Sequence, residues 1–161
     1  MFQLIVAVIS IALVAVLAIA STYYGGTAFT QSQQKAQITA LVNAGEQIAG
    51  ANALYVTDWG QSAATVNDLV VGANNTTYLA SAPVDSAASA GQWQIGALQA
   101  TVALKYGGTP SADTFCTAVD VQSGQTVSGG TTMYLAATTL PLGVQFGCVG
   151  TNATPVFAFR L

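Results

Sequence analysis

Residues 1–34 contain no charged side chain, and this stretch constrains the fold more than any other part of the chain. Residues 4–20 read LIVAVISIALVAVLAIA, in which Ser10 is the only polar residue. About 20 helical residues span the ~30 Å hydrocarbon core of a bilayer. The hydroxyl of Ser10 can bond to a carbonyl one turn earlier, so it is compatible with such a helix. We therefore predict a membrane-type helix over residues 1–25.

Three interpretations of this segment are open. A secretory signal peptide would be cleaved after small residues such as Ala18 and Ala20, but the basic residues that normally precede its apolar core are missing. A signal anchor would normally keep positive charge beside its apolar run. A chain that has lost a short basic leader before Met1 explains both the missing charge and the surviving apolar helix, and we favour it.

The whole chain is poor in charge. Only 6% of its residues are Asp, Glu, Lys or Arg, against about 25% in an ordinary globular domain. Because charge normally keeps soluble proteins apart, we expect much of the surface to lie against lipid or against copies of the same chain. The net charge of −3 provides no basic patch, which argues against a nucleic-acid partner.

The apolar run ends in aromatic residues and glycines. Tyr23 and Tyr24 would lie at the boundary between lipid and water. Gly25 and Gly26 follow, and each weakens a helix by about 1 kcal/mol relative to alanine. The pair predicts either a helix break or close packing of neighbouring helices, and both remain open.

The second half of the helix, residues 26–58, has a different pattern. Apolar residues recur there at the three- and four-residue steps of a helix with one buried face. The predicted buried positions are Ile38, Leu41, Val42, Gly45, Ile48, Ala49, Asn52 and Tyr55. The turn signals Asp58 and Gly60 predict an end near residues 56–59. We expect this half of the helix to pack on a globular head.

Residues 59–161 are rich in Gly, Thr, Ala and Ser and are predicted to form that head. A short helix is predicted near residues 64–71, and Ser111 can cap a second one. The second helix would carry Ala112, Phe115, Cys116 and Val119 on one face. The strand candidates are residues 101–106, 133–137, 142–148 and 155–160. Several strands with few helices between them fit an antiparallel sheet, so we predict an α+β fold.

Cys116 and Cys148 are the only two cysteines. Their even number and the export-type N-terminal segment favour one disulfide formed in an oxidising compartment. Closing a loop of about 30 residues would stabilise the fold by roughly 3–4 kcal/mol. Two buried free thiols are the alternative. A metal site is not expected, because the chain has no His and no further Cys.

The sequence shows no catalytic constellation. Histidine, the commonest general base, is absent, and there is no nucleophile elbow, phosphate-binding glycine loop or metal-ligand spacing. We expect the acidic residues to lie singly on solvated surfaces, namely Glu46, Asp58, Asp68, Asp85, Asp113 and Asp120. We therefore predict a protein that is not an enzyme and has no cofactor.

Two further groups of residues have weaker signals. Asn74, Asn75 and Asn152 each begin an Asn-x-Thr pattern, which we expect to reflect the Thr-rich composition more than glycosylation. Trp59 and Trp93 are expected to make core or subunit contacts rather than to form ligand platforms.

The order of these features resembles a type IV pilin, and more specifically the type IVb group of bundle-forming and conjugative thin-pilus pilins. Met1 would suit the apolar, N-methylated residue that prepilin peptidase leaves at the start of the mature chain. SQQKAQITALVNAGEQIAGANALYVTDWG resembles the amphipathic half of the pilin helix, and TVNDLVVGANNTTYLASAPV resembles the segment that follows it. Cys116 and Cys148 match the cysteines that bracket the C-terminal region of the head, here residues 116–148.

The resemblance implies a structural subunit that resides in the cytoplasmic membrane and then polymerises into an extracellular filament. Its partners would be many copies of itself, the membrane, the prepilin peptidase and the pilus assembly machinery. The residues expected to pack in the filament core are Ile5, Ala7, Ser10, Ala12, Ala15 and Ala18. The alternatives are a minor pilin or pseudopilin at a filament tip, and a monomeric membrane-anchored binding protein.

The chain departs from the family pattern near its N-terminus. Type IV pilins usually carry glutamate at the fifth mature position, where its carboxylate faces the N-terminal amine of a neighbouring subunit, whereas this chain has Ile5. Val14 and Thr22 replace the usual glycine and proline of the helix. Either Gln3 or backbone carbonyls take over the role of the glutamate, or the subunit occupies a special place such as a filament tip.

Overall fold

The computed structural model describes residues 2–71, 76–89, 92–105, 110–125, 138–151 and 153–161, with backbone alone at 24–28 and 110–113. The helices are α1 (Phe2–Trp59), α2 (Val66–Val70) and α3 (Pro110–Gln122). The strands are β1 (Gln94–Ile95), β2 (Gln99–Ala103), β3 (Phe146–Thr151) and β4 (Thr154–Arg160). A long N-terminal helix with a small antiparallel sheet confirms the predicted α+β class. The chain divides into two compact units, Met1–Ala36 and Gln37–Leu161.

The helix α1 contains 58 residues and ends close to the predicted position. Its backbone is helical through Gly25 and Gly26, so the helix break considered for that pair is not seen. Gly60 follows the last helical residue with a φ of 72°, a left-handed conformation that glycine adopts without a Cβ clash. The N–H of Gly60 donates to the carbonyl of Val56 at 2.8 Å, which closes the helix.

Within the second unit, α1 buries the predicted face. Ile38, Leu41, Gly45, Ile48 and Asn52 are buried, whereas Val42, Ala49 and Tyr55 are half-buried. Two alanines that the prediction did not include, Ala44 and Ala51, are buried beside them.

The sheet has the strand order β1-β2-β4-β3, and all its pairs are antiparallel. Val102 of β2 lies opposite Phe157 of β4, and Phe157 lies opposite Cys148 of β3. Residues directly opposite one another share a face of the sheet. This face forms the main core with the buried face of α1 and with Trp93. Ala158 and Val149 belong to a smaller cluster with Leu140 and Val144.

The prediction was accurate for the C-terminal strand and less accurate for the strands that precede it. β4 includes all of predicted residues 155–160, whereas β2 begins two residues before predicted 101–106. Predicted 142–148 overlaps β3 only from Phe146, because a turn occupies its first half and Gly143 has a φ of 88°. Residues 133–137 lie outside the described part of the chain. The two-residue strand β1 was not predicted.

Both predicted head helices are present. α2 covers the middle of predicted residues 64–71. α3 buries Phe115, Cys116 and Val119, as predicted. It begins at Pro110, one residue before the predicted cap, so Ser111 lies within the first turn. Proline suits that position because it has a fixed φ and the first helical residues need no N–H.

Candidate functional site

The first 22 described residues of α1, Phe2–Tyr23, form an apolar surface with a mean hydropathy of 3.0. None of this segment is buried within the chain. Large side chains such as Leu4, Ile11 and Ile19 are 70–71% exposed. The segment is long and apolar enough to cross a membrane, as a membrane anchor or as a signal sequence.

The predicted filament-core residues all lie on this segment and are exposed. They are Ile5, Ala7, Ser10, Ala12, Ala15 and Ala18. Ser10, Ala15 and Ala18 line a shallow apolar groove of about 380 Å³ together with Ile11 and Val14. The Ser10 hydroxyl donates to the carbonyl of Val6 at 2.8 Å, which confirms the expected bond to the preceding turn. A small polar residue is therefore accommodated without an unpaired donor on this surface.

Some predicted positions lie outside the described residues. These are Met1, the expected processed N-terminus, and Asn74, Asn75 and Asn152 of the Asn-x-Thr patterns.

The predicted disulfide is present between Cys116 of α3 and Cys148 of β3, with their Cα atoms 5.5 Å apart. The alternative of two free thiols is therefore wrong. Since β3 is one of the two edge strands of the described sheet, the bond fixes α3 beside that edge. The bond also defines the boundaries of the predicted region 116–148.

Asp120 contradicts the prediction that the acidic residues are solvated, because it is 0% exposed. Its Oδ1 accepts a hydrogen bond from the backbone N–H of Cys148 at 3.2 Å. Its Oδ2 is buried and has no hydrogen-bond partner among the described residues. Burial raises the pKa of the Asp120 carboxyl from 3.8 to about 6, and the Cys148 hydrogen bond offsets part of that rise.

Asp120 lies one helical turn after Cys116, so the two side chains share a face of α3. Cys148 is thus held to α3 twice, through its sulfur and through its backbone N–H. An edge strand has no partner strand on one side, and here the Asp120 carboxyl accepts from the backbone N–H of Cys148 on that strand. The four-residue spacing from Cys116 is a sequence signal that could have revealed the buried position of Asp120, but the prediction of solvated acidic residues did not use it.

The other acidic residues have local roles. Asp58 accepts from the Tyr78 hydroxyl at 2.7 Å, and Asp68 accepts from the N–H of Thr65 at 2.8 Å. Asp85 accepts from the N–H of Ala87 at 2.8 Å. Glu46 is exposed, as predicted, and the side chain of Asp113 is outside the described part. In the described ranges no three His, Cys, Asp or Glu residues come together in a way that could hold a metal ion.

The two tryptophans differ. Trp93 is buried and contacts Phe157 edge-on, with ring centroids 6.0 Å apart, which confirms a core contact. Trp59 is 41% exposed. Its ring N–H donates to the Tyr78 hydroxyl at 3.1 Å, and the ring stacks on Tyr55.

Sequence reasoning missed two residues that hold the loop before β3. The Gln99 side chain donates to the carbonyl of Thr138 at 3.0 Å and accepts from the N–H of Leu140 at 3.1 Å. The Arg160 guanidinium donates to the carbonyls of Leu140, Pro141 and Val144 at 3.2, 2.5 and 3.0 Å. The charged group of Arg160 therefore binds backbone carbonyls within the head. Nothing in the sequence around Arg160 indicates these hydrogen bonds.

Sequence reasoning also missed two clefts on the head that share Gln92 and Trp93. The larger has a volume of about 560 Å³ and is also lined by Thr65, Asn67, Gln94 and Ile95. The smaller has a volume of about 360 Å³, and Asp85 and Lys105 contribute to its lining. We refer to the two together as the Trp93 clefts.

No protein-family model matches the chain, and neither the curated proteins nor the solved structures include a significant match to it.

Proposed function

We propose that the protein is a structural subunit of an extracellular, type IV pilin-like filament. Before assembly it resides in the cytoplasmic membrane through α1, with its head outside. The observation that carries the proposal is the surface of Phe2–Tyr23, which is apolar on all sides and unburied within the chain. Such a surface is strongly disfavoured in water, so it requires either lipid or other apolar helices around it.

Transfer of this helix from lipid to a bundle of sister helices leaves its apolar surroundings almost unchanged. Close packing must therefore favour assembly, and small residues permit the closest approach between helices. The groove that contains Ser10, Ala15 and Ala18 is bordered by the larger Ile11 and Val14. This alternation of small and large residues supports helix-to-helix packing, with the groove of one copy receiving large side chains of the next.

The head supports a structural role. Its acidic side chains bind backbone or tyrosine groups near them, and the Cys116–Cys148 bond joins α3 to the edge strand. These contacts fit a stable outer wall around a helical core. The proposed partners are copies of the same chain, the membrane, the prepilin peptidase and the assembly machinery. We propose no catalytic function for the protein.

Electron microscopy of material sheared from producing cells tests the proposal, with intact mass spectrometry of the same sample. We expect helically ordered fibres whose subunit retains Phe2–Tyr23. Dispersed, detergent-bound monomers would indicate instead that the helix only tethers a binding protein. A mature chain that lacks Phe2–Tyr23 would show that the segment is a signal sequence, and the filament proposal would be wrong.

A further inference from the structure

The described residues that line the larger of the Trp93 clefts are all uncharged. Its volume of about 560 Å³ lies within the range of ~300–1,000 Å³ that is usual for small-molecule sites. The smaller cleft contains one acidic and one basic side chain, Asp85 and Lys105, so neither cleft attracts a strongly charged ligand.

Three side-chain amides at the larger cleft are available to a ligand. Asn67, Gln92 and Gln94 are exposed, and none of their side chains takes part in a hydrogen bond within the described ranges. Each amide presents two N–H donors and a carbonyl acceptor. A ligand that carries both donors and acceptors, but no charge, matches this set.

Trp93 provides a second, independent observation. It is 3% exposed and lies in the wall that the two clefts share. Its ring N–H is buried and has no acceptor among the residues that the structure describes. A buried tryptophan N–H usually has a hydrogen-bond partner, and a buried donor without one destabilises the fold because it has lost its bond to water. Because this N–H has almost no accessible surface, a ligand hydroxyl reaches it only when side chains of the cleft wall move aside, and the hydroxyl then supplies the missing acceptor.

We propose that the Trp93 clefts bind a neutral saccharide. Saccharide hydroxyls both donate and accept hydrogen bonds, as the amides of Asn67, Gln92 and Gln94 do, and a ring hydroxyl can accept from Trp93. The ring faces of a sugar are apolar and suit Ile95 and the indole edge. The site lies wholly within Gln37–Leu161, so binding does not require polymerisation and goes beyond the proposed structural role.

The test uses the full chain, solubilised in detergent, on an array of the neutral sugars lactose, N,N′-diacetylchitobiose and maltotriose. The charged comparators are 3′-sialyllactose and sulfated lactose. Hits are then titrated by calorimetry. We expect at least one neutral saccharide to bind. Gln92→Ala and Asn67→Ala should each weaken that binding about fivefold or more, which is the factor that one lost neutral hydrogen bond is worth.

The matched control is Gln47→Ala, which removes an exposed amide of α1 that lines neither cleft. It should bind like the wild type. Trp93→Phe removes the ring N–H but keeps an aromatic side chain beside Phe157, and it should also weaken binding. Thermal unfolding of every variant separates lost binding from lost folding, and the exposed positions of Gln92 and Asn67 keep the test valid if Trp93→Phe unfolds.

Three results would overturn the proposal. The first is an array on which no neutral saccharide binds. The second is binding of the charged sugars alone. The third is neutral binding that Gln92→Ala and Asn67→Ala leave unchanged in folded protein. Each of these results is independent of whether fibres form, so failure here does not bear on the filament proposal.

Discussion

At the scale of single residues, Asp120 has the environment least like water of all the acidic side chains that the structure describes. One carboxyl oxygen accepts from Cys148, and the other has no partner among the described residues. A buried carboxylate is costly unless hydrogen bonds or a positive charge compensate for it. Here one long hydrogen bond compensates for the burial only in part, so the pKa of the Asp120 carboxyl is raised to about 6.

This raised pKa predicts that the protonated Asp120 carboxyl contributes most to the stability of the fold at about pH 4 and below. The folded state binds a proton at Asp120 more readily than the unfolded state does, between its ordinary pKa of 3.8 and about 6. Stability should therefore fall as the pH rises from about 4 to about 6 and then level off. The full step is roughly 3 kcal/mol, from about 1.36 kcal/mol for each unit of the pKa change. Denaturant unfolding of the detergent-solubilised chain, at several pH values, measures it.

Asp120→Asn isolates this contribution from the other carboxyl groups. The asparagine keeps a carbonyl oxygen that can accept from Cys148 but carries no charge at any pH. We expect the difference in unfolding free energy between variant and wild type to change across pH 4–6 and to be constant above that range. A difference that does not vary with pH would contradict the assignment.

At the scale of elements, Gly45 controls how closely α1 approaches the sheet. A Cβ at this position would lie 2.5 Å from Cγ of Phe159, a residue of β4. Phe159 is fully enclosed in the core and has little room to move. The glycine weakens the helix intrinsically, but it allows α1 and β4 to pack in direct contact.

Gly45→Ala should therefore destabilise the head by roughly 1–3 kcal/mol, the usual cost of overpacking a core. Gly50, five residues later in the same helix, is the matched control because a Cβ there meets nothing within 4 Å. Gly50→Ala should stabilise the protein by roughly 0.5–1 kcal/mol through helix propensity alone. Urea unfolding of both variants checks the prediction. Two shifts of the same sign would contradict the proposed contact.

At the scale of the whole molecule, the low charge content agrees with a chain that does not remain a free monomer. The charged residues number nine, and all of them follow residue 34. The Arg160 guanidinium donates hydrogen bonds to backbone carbonyls, and Asp120 is buried. The protein surface therefore carries fewer than nine freely solvated charges. A filament would cover the apolar helix at its centre and leave the polar head residues outside.

The assembly model predicts that Ala15→Asp abolishes fibres. A carboxylate at the centre of a membrane helix costs about 2.5–3.5 kcal/mol by insertion scales, and a packed bundle of apolar helices offers it no partner. Ala15→Ser is the matched control, since a hydroxyl on this surface can bond to the preceding turn as that of Ser10 does. It should assemble normally.

For both variants, electron microscopy measures the number of fibres, and the membrane fraction is assayed for the amount of subunit. The head should unfold at the wild-type temperature in Ala15→Asp, because residue 15 lies in the first compact unit. Ordinary fibres from Ala15→Asp would contradict the packing model.

The features that were predicted correctly are those that residues close together in the sequence determine. The apolar helix follows from residues 4–20. The buried face of α1 follows from apolar residues that recur every three or four positions, which is the length of one helical turn. The end of α1 is marked by Gly60, and β4 is marked by a short apolar run that turn residues separate from the preceding strand. Two cysteines in a chain of this type leave only one possible pair. In each case neighbours along the chain carry the information.

The features that were missed depend on which distant segments meet. Asp120 resembles the other acidic residues until β3 covers it, and Gly45 is an ordinary face position until Phe159 packs against it. The Trp93 clefts arise where residues near 65 and near 93 come together. Burial, pKa and cavity shape are properties of contacts between segments. The sequence alone therefore determined the helix, the α+β class and the disulfide, whereas the tertiary structure decided which polar groups are buried and where a ligand can enter.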